Sequence, residues 1–340
     1  MNTLILNSDK KGLEKSVELL SQGQLVAIPT ETVYGLAADA TNKHAVTKIF
    51  EAKGRPQDNP LIVHIADIND WPILVDSIPK KAQILANKFW PGPLTIILKK
   101  SNFIPNIVTA NLDRIAVRMP DSNLVRDIIR KLKKPLAAPS ANTSGKPSPT
   151  CMAHVLEDLD TKISAVIDGG ECSVGLESTV IDINQEKIRF LRPGIITEKE
   201  ISEIIGEKIE IDSSIYTKTD NNTMPIYSPG MKYKHYAPKT KIILIECNSK
   251  NFVKFVNSKS DCAALCFDEE IEFIDIPVIP YGKENSPNEQ AKKIFNYLRK
   301  LDNFNLKLAY VHAPKRIGKS LAVFNRLIRA SGFKVIRLPE

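Results

Sequence analysis

A chain of 340 residues is longer than one typical domain core, so two domains are the first expectation for its organisation. The apolar fraction of 43% and the charged fraction of 25% are those of an ordinary globular protein, and no apolar run approaches the roughly 20 residues of a spanning helix, which excludes the disordered and membrane classes. The net charge of +8 and the isoelectric point near 9.1 permit attraction to polyanions, meaning nucleotide phosphates or RNA.

From Asp9 to Asp182 helical patterns alternate with short β-branched runs, which is typical of an α/β layer structure. Helices are predicted over residues 11–21, 45–52, 80–90, 124–132 and 198–205. Strands are predicted over residues 25–28, 61–65, 94–98, 115–118, 136–138, 165–167, 179–183 and 188–191.

Between about residues 211 and 238 the periodicity fails and polar residues, Tyr and Pro dominate, which predicts a linker. Beyond it, strand and helix patterns alternate again, over residues 241–245, 252–258, 263–267, 289–301, 308–311, 321–330 and 333–338. A smaller α/β domain with a parallel sheet is the simplest interpretation. The predicted units are therefore a domain at 1–210, a linker at 211–238 and a second domain at 239–340.

The cysteines and histidines give no sign of a disulfide framework or a metal site. The five cysteines include no CxxC pair and the five histidines show no ligand spacing, so we expect reduced thiols and no structural metal. The first residues lack the basic region and apolar block of a secretory signal, and we therefore expect a cytoplasmic protein.

Three polar segments are candidates for a ligand site. Residues 29–36 follow the carboxyl end of a predicted strand, where ligands bind in open α/β sheets, although an ordinary loop explains them equally well. Lys53 and Arg55 lie at the end of a helix, where the helix dipole favours cations, and they also suit a phosphate clamp. The hydroxyl-rich run at 138–150 is either a solvated loop or, with Lys146 nearby, a cradle for an anion.

Together and in this order, these segments resemble the threonylcarbamoyl-AMP synthase family, whose catalytic module is the YrdC-like domain. The resemblance rests on PTETVYGL at 29–36, KxR at 53–55, NPL at 59–61, WPGPLT at 90–95, VRMP at 117–120, APSAN at 138–142, ESTV at 177–180 and LRPG at 191–194. The string SPGMKYKHYAP at 228–238 is similar to the linker of the long, two-domain form of that family. The motifs span nearly the whole chain, and their collinear order makes the resemblance highly specific.

The resemblance implies a twisted mixed-sheet YrdC-like domain around a deep, positively charged cavity, followed by a smaller Rossmann-like α/β domain. The residues that would hold threonine are Thr32, His64, Arg118, Ala138 and Ser178. Those that would hold ATP or bicarbonate are Lys53, Arg55, Asn59, Ser140, Asn142, Ser148 and Arg192, with Tyr233 against the nucleotide and Lys232 and His235 as further linker candidates.

The implied reaction condenses L-threonine, bicarbonate or CO2, and ATP into threonylcarbamoyl-AMP and pyrophosphate, for threonylcarbamoyladenosine modification of tRNA. The substrates are all anions or carry an anionic group, so elementary electrostatics also asks for a cationic cavity. We expect Lys53 and Arg55 to stabilise the transition-state charge, Mg2+ to bridge the phosphates, and the linker to close over the cavity as a lid. The expected partners are the downstream tRNA threonylcarbamoyl transferase proteins and, weakly, tRNA, with no membrane.

Three alternatives compete with this interpretation. Residues 313–320 match a loose Walker A pattern between a strand and a helix, but Pro314 removes one amide of the phosphate cradle and only 20 residues follow. An RNA-binding module is compatible with the basic charge, yet the aromatic signature of RRM domains is missing. The related carbamoyl-transfer enzyme of hydrogenase maturation would need acylphosphatase and zinc-finger modules, which the sequence lacks.

Overall fold

The computed structural model describes residues 2–184, 187–217 and 235–339, and its strands form two separate β-sheets. The larger sheet has eleven strands in mixed parallel and antiparallel pairings. The smaller sheet has five strands, all paired in parallel. The expected fold class, a mixed-sheet domain followed by a smaller parallel α/β domain, is therefore confirmed.

The larger sheet is built from the first part of the chain. Its strands in chain order are β1 (Leu4–Asn7), β2 (Val26–Ile28), β3 (Gly35–Asp39), β4 (Ile62–His64), β5 (Leu94–Lys99), β6 (Arg114–Arg118), β7 (Leu136–Ala137), β8 (Ala165–Asp168), β9 (Thr179–Asn184), β10 (Lys187–Arg192) and β11 (Glu210–Ile211). Their spatial order is β1-β8-β2-β3-β7-β4-β6-β5-β9-β10-β11. Strands distant in sequence are thus brought side by side, which gathers several loops at shared sheet ends.

Six α-helices accompany this sheet. They are α1 (Lys10–Ser21), α2 (Lys43–Lys53), α3 (Lys80–Phe89), α4 (Asn123–Leu132), α5 (Met152–Leu159) and α6 (Glu198–Ile205). Helix α2 matters most for the site, and its ends follow from local chemistry. The Asn42 side chain accepts hydrogen bonds from the first free amides, and Gly54 ends the helix with a left-handed φ of 59°.

The second domain alternates strand and α-helix, except between β13 and β14, where only the 3-10 helix Asp268–Phe273 intervenes. Its elements are β12 (Lys241–Glu246), α7 (Ser249–Asn257), β13 (Ala263–Cys266), β14 (Val278–Pro280), α8 (Pro287–Lys300), β15 (Leu308–His312), α9 (Ser320–Ala330) and β16 (Val335–Arg337), and the sheet order is β14-β13-β15-β12-β16. None of the helices in the described residues is long and apolar enough to cross a bilayer.

The two domains pack through both apolar and charged contacts. One buried hydrophobic core includes Val155 and Leu176 of the first domain and Phe295 and Leu298 of the second. Gly175 lies so close to α8 that an added Cβ would be 2.5 Å from the Cα of Lys292. Close packing of this kind fixes helices α8 and α9 against the loops of the first domain.

Candidate active site

A polar cavity lies where the ends of several strands of the large sheet meet the last residues of the linker. Its volume is about 60 Å3, small against the roughly 300 to 1,000 Å3 of typical ligand sites. The walls are formed by Thr30, Thr32, Val33, Gly35, Arg55, Ile62, His64, Arg118, Ala138, Pro139, Ser140, Glu177, Ser178, Arg192, His235 and Tyr236.

Eight of the residues predicted from the sequence lie on these walls. They include the whole predicted threonine set, Thr32, His64, Arg118, Ala138 and Ser178. They also include three residues of the predicted ATP set, Arg55, Ser140 and Arg192. The fold thus collects side chains from seven separate places in the sequence.

Four of the other predicted residues lie behind the wall instead. The ammonium of Lys53 donates to the carbonyl oxygens of Ser140 and Asn142, the latter at 2.6 Å. The Asn142 amide folds its own loop by donating to the carbonyls of Thr143 and Lys146. These contacts give Lys53 and Asn142 a role in shaping the loop.

The remaining two predicted residues behind the wall are Asn59 and Ser148. The Asn59 carbonyl accepts from Arg55 at 3.3 Å, and the Ser148 hydroxyl donates to the carboxylate of Glu177. Each therefore supports a residue that does face the cavity. Tyr233 and Lys232 lie outside the described residues.

Strand register sets His64 beside Arg118. Strands β4 and β6 are parallel neighbours, and these two residues are partners at their carboxyl ends. Burial, and then the positive charge of Arg118, lowers the pKa of His64 to about 3, so the imidazole is neutral near pH 7. Its Nδ1 is buried and has no hydrogen-bond partner among the described residues. A neutral ring with an unused nitrogen is suited to hydrogen bonding a ligand.

Arg118 is held by three neighbours. Its Nε donates to the Gly92 carbonyl at 3.2 Å, and one terminal nitrogen donates to the Thr32 hydroxyl at 2.9 Å. The other terminal nitrogen lies 2.5 Å from the carboxylate of Glu31. The guanidinium is thus fixed in orientation beside the turn formed by residues 30–33, where Thr30 donates to the carbonyl of Val33.

Arg192, at the end of β10, and Ser178, just before the adjacent strand β9, form a second fixed pair. The Arg192 guanidinium donates to both the carbonyl and the hydroxyl of Ser178, at 3.0 and 3.1 Å. Burial is the largest influence on the Arg192 side chain and lowers its pKa to about 10, which leaves it cationic at neutral pH. Gly194 permits this approach, because an added Cβ would be 2.4 Å from the Thr179 amide nitrogen.

The end of α2 explains why Lys53 and Arg55 diverge. The left-handed turn at Gly54 redirects the chain, and the Arg55 amide returns to the Phe50 carbonyl at 2.9 Å. Lys53 consequently points into the protein, where it is 2% exposed and where burial lowers its pKa. Arg55 instead reaches the cavity and donates to the Pro60 carbonyl at 3.1 Å.

The sequence assigned no binding role to the cavity residues Glu177 and Tyr236, and it named His235, which is not among the eight, only as a further linker candidate. Glu177 is part of the ESTV motif, but a carboxylate is not an expected neighbour for anionic substrates. His235 and Tyr236 close the linker string and are 9% and 4% exposed. The linker motif at 228–238 was the sequence signal for these two residues. That their side chains point into the cavity depends on tertiary packing.

Two other features, a larger hollow and the Walker-like loop, lie outside the polar cavity. A larger hollow of about 500 Å3 is lined by residues such as Ile73, Phe103 and Arg130, none of which was a predicted site residue. The Walker-like loop at 313–320 leads into α9, and its Arg316 is paired with Glu246 on β12. That loop contributes no residue to the polar cavity.

Comparison with known proteins gives one consistent family. The family model Sua5_yciO_yrdC, described as Telomere recombination, matches residues 18–194, and the model described as Threonylcarbamoyl-AMP synthase, C-terminal domain, matches residues 196–332. The chain is 41% identical over 349 residues to the threonylcarbamoyl-AMP synthase of Pyrococcus abyssi, which covers 99% of this chain and 100% of that protein. It is 40% identical over 338 residues to that of Bacillus subtilis, with 98% and 96% covered.

Among solved structures, Pyrococcus abyssi Sua5 complexed with L-threonine has a TM-score of 0.90 at 39% identity. The similarity covers 99% of this chain and 100% of that one. Both domains of the fold are therefore shared with a protein that has been crystallised with L-threonine.

Proposed function

Because the chain belongs to the threonylcarbamoyl-AMP synthase family, we propose that its polar cavity is where L-threonine, bicarbonate and ATP are joined. Family membership makes the chain an enzyme that produces threonylcarbamoyl-AMP from ATP, in the pathway to threonylcarbamoyladenosine in tRNA. The assignment of individual residues to substrates is our proposal.

One observation carries this proposal: three buried arginines, Arg55, Arg118 and Arg192, converge on a single cavity. The triphosphate, bicarbonate and the threonine carboxylate repel one another and will not gather without compensating positive charge. Arginine is suited to this work because it stays protonated when buried and presents a planar fork to phosphate and carboxylate oxygens.

For threonine we propose the part of the cavity around Arg118. The carboxylate of threonine would pair with Arg118, while Thr32, the neutral His64 and Ser178 are placed to hydrogen bond its polar groups, with Ala138 at the wall. The unused His64 Nδ1 supports this assignment, since a buried nitrogen without a partner gains from a ligand bond. The L-threonine complex of the Pyrococcus abyssi protein is consistent with it.

For ATP and bicarbonate we propose the part around Arg55, Ser140 and Arg192, with Asn59, Asn142 and Ser148 supporting the wall. The threonine amine would attack the carbon of CO2 and release a proton, or attack bicarbonate and pass that proton to the departing hydroxide, which leaves as water; either route gives a carbamate. A carbamate oxygen would then attack the α-phosphorus of ATP, and the bond to the β-phosphate oxygen would break to release pyrophosphate. Such a displacement depends mainly on alignment of the attacking oxygen with the leaving group and on stabilisation of the phosphoryl charge.

Arg55 is the residue that we propose to stabilise the charge of the transition state, as predicted. For Lys53 we propose an indirect contribution through the backbone carbonyls that it grips at Ser140 and Asn142. Mg2+ is proposed to enter with ATP as part of the substrate, bound chiefly by phosphate oxygens. The cavity carboxylate Glu177 is already paired with Arg326, which fits a metal held by phosphates better than one held by protein.

We further propose that the linker closes the cavity, with Tyr233 against the nucleotide. The support lies in the linker's last residues, since His235 and Tyr236 line the cavity and the Ala237 amide donates to the Gly145 carbonyl at 2.8 Å. A cavity of about 60 Å3 cannot hold the substrates until these side chains move. In a Tyr236→Ala variant we expect more threonylcarbamoyl-AMP to be lost to hydrolysis per pyrophosphate released.

Contacts with the downstream transferase proteins, weak tRNA binding and a cytoplasmic location stay predictions. The basic net charge of +8 supports attraction to RNA, but it serves the anionic substrates equally well.

Pyrophosphate release tests the proposed reaction directly. The purified chain is given ATP and Mg2+ with threonine and bicarbonate each present or omitted, and release is expected only when both are present. Arg118→Ala should raise the KM for threonine far more than that for ATP. Release that continues without threonine, or an Arg118 variant with unchanged KM for threonine, would contradict the proposal.

A further inference from the structure

We propose that Arg326, on helix α9 of the second domain, is a positioning residue that neutralises Glu177 so that ATP can enter the cavity. The inference rests on the proposed function of that cavity. It gives the second domain an electrostatic part in nucleotide binding, although no side chain of α9 reaches the cavity wall.

The contact between Arg326 and Glu177 crosses the domain boundary and is fully buried. Arg326 is 0% exposed, and its Nε donates to the Glu177 carboxylate at 2.8 Å. One terminal nitrogen also donates to the Glu177 carbonyl, and the other donates to the Pro193 carbonyl at 2.8 Å. Arg326 therefore holds both the side chain and the backbone at the start of β9.

Glu177 is an ionised carboxylate on the wall of a cavity that must accept anions. Burial opposes its ionisation, but Arg326 and then Arg192 outweigh burial and hold its pKa below the ordinary value. The hydroxyl of Ser148 donates to the second carboxylate oxygen. With Arg326 removed, the carboxylate would keep its place on the wall while losing its strongest counter-charge.

Two further contacts make Arg326 a junction between three parts of the chain. Its guanidinium lies 5.7 Å from the ring centre of Tyr236, which lines the cavity, and that ring lies 5.2 Å from Phe295 on α8. The first domain, the end of the linker and the second domain thus meet at one buried cation.

A charge-neutralising role makes a prediction that a purely structural role does not. In Arg326→Met, Glu177 loses the stronger of its two compensating cations and should repel the triphosphate, so we expect the KM for ATP to rise about tenfold or more with a smaller change in kcat. Adding Glu177→Gln removes the repulsion, and the double variant should recover most of the loss in KM. The double variant also avoids a buried unpaired charge and is expected to fold even if the single variant does not.

The matched control is Arg299→Met, which removes another buried arginine that joins the second domain to the first. Arg299 pairs with Asp158 at 2.8 Å, outside the cavity, and Asp158 keeps Lys146 as a second partner. This variant should lose stability while its KM for ATP stays within about threefold of the parent, since no cavity charge is unmasked.

The outcomes separate this inference from the proposed function. Loss of turnover in Arg55→Ala, with a raised KM for ATP in Arg326→Met and recovery in the double variant, supports both. An unchanged KM for ATP in Arg326→Met, a folded double variant without recovery, or an equal rise in Arg299→Met would overturn the inference alone. Normal turnover in Arg55→Ala would overturn the assignment of the cavity itself.

Discussion

At the cavity, the charge states of His64 and Glu177 depend on burial and on arginines from other parts of the sequence. His64 is neutral because it is buried beside Arg118, and Glu177 stays ionised because two arginines outweigh its burial. The sequence predicted eight of the wall residues, since their motifs are contiguous and specific. It did not predict the partner of Glu177, because a pairing across 149 residues leaves no local pattern.

Removing Arg55 tests the charge of the cavity. Because Arg55→Ala deletes a cation that faces the proposed triphosphate, we expect a loss of about 2 to 4 kcal/mol of transition-state stabilisation. The loss would appear in pyrophosphate release as a fall in kcat/KM of roughly 30-fold to 1,000-fold. Arg130→Ala is the control, because the Arg130 side chain is 51% exposed, lies outside the cavity and forms its ion pair with Asp127 on the same helix. Equal activity in the two variants would contradict the role of Arg55.

The neutral state of His64 predicts a pH dependence of stability. Its pKa is about 3 in the folded chain and about 6.5 when unfolded, so below pH 6.5 the unfolded state binds a proton that the folded state does not. The stabilisation is complete above pH 6.5 and is lost as the pH falls towards 3. His64→Gln should therefore reduce the fall in unfolding free energy between pH 7 and pH 5 by about 1 to 2 kcal/mol.

Urea denaturation at the two pH values measures this effect. His44→Gln is the control, since His44 is exposed at the start of α2. A parent chain and a His64→Gln variant with the same pH dependence would show that the imidazole is not neutral in the folded state.

Most elements were predicted within a few residues, but the sequence did not predict β1, β3, α5, β11 or β14. Strand β3, GLAAD, contains no β-branched residue and lies partly inside the motif at residues 29–36, which was interpreted as a loop. Helix α5 follows a run rich in Pro, Ser and Thr that concealed its start, and β14 has only three residues. Pairing with neighbouring strands, a tertiary effect, forms β3 and β14.

The loop before β9 contains two glycines that test interface packing. Gly170 and Gly175 both have positive φ, of 73° and 78°, so alanine strains the backbone at each. An added Cβ at Gly170 meets nothing within 4 Å, whereas at Gly175 it would be 2.5 Å from the Cα of Lys292.

We therefore expect Gly170→Ala to cost about 1 to 2 kcal/mol of stability and Gly175→Ala clearly more, with looser packing of α8. Thermal unfolding of the two variants, together with hydrogen exchange in α8, measures the difference. Equal losses of stability in the two variants would mean that α8 shifts to accommodate the methyl group added at position 175.

The whole molecule is joined by charges as well as by apolar packing. Arg326 with Glu177 and Arg299 with Asp158 are buried pairs that cross between the domains. The division at residues 210 and 239 stays a prediction. Each of the two parts, if separated, would lose the ion-pair partners of its buried charges in these pairs. A basic patch or a motif on one domain would not have revealed them.

Such coupling predicts cooperative unfolding. We expect one calorimetric transition for the whole chain, and Arg299→Met to lower stability by about 1 to 3 kcal/mol because a buried carboxylate loses a donor. Arg337→Met should change little, since the Arg337 side chain is 74% exposed. Two separate transitions in the parent chain would contradict the coupling.

The pairing of Glu177 with Arg326 also has a consequence for biosynthesis. A ribosome delivers the chain from its amino end, so Glu177 emerges 149 residues before its counter-ion. Until α9 has left the exit tunnel, Glu177 of a nascent chain lacks the stronger of its two compensating arginines. On the proposed role of Arg326, we expect a chain truncated before α9 to bind ATP more weakly than the complete enzyme.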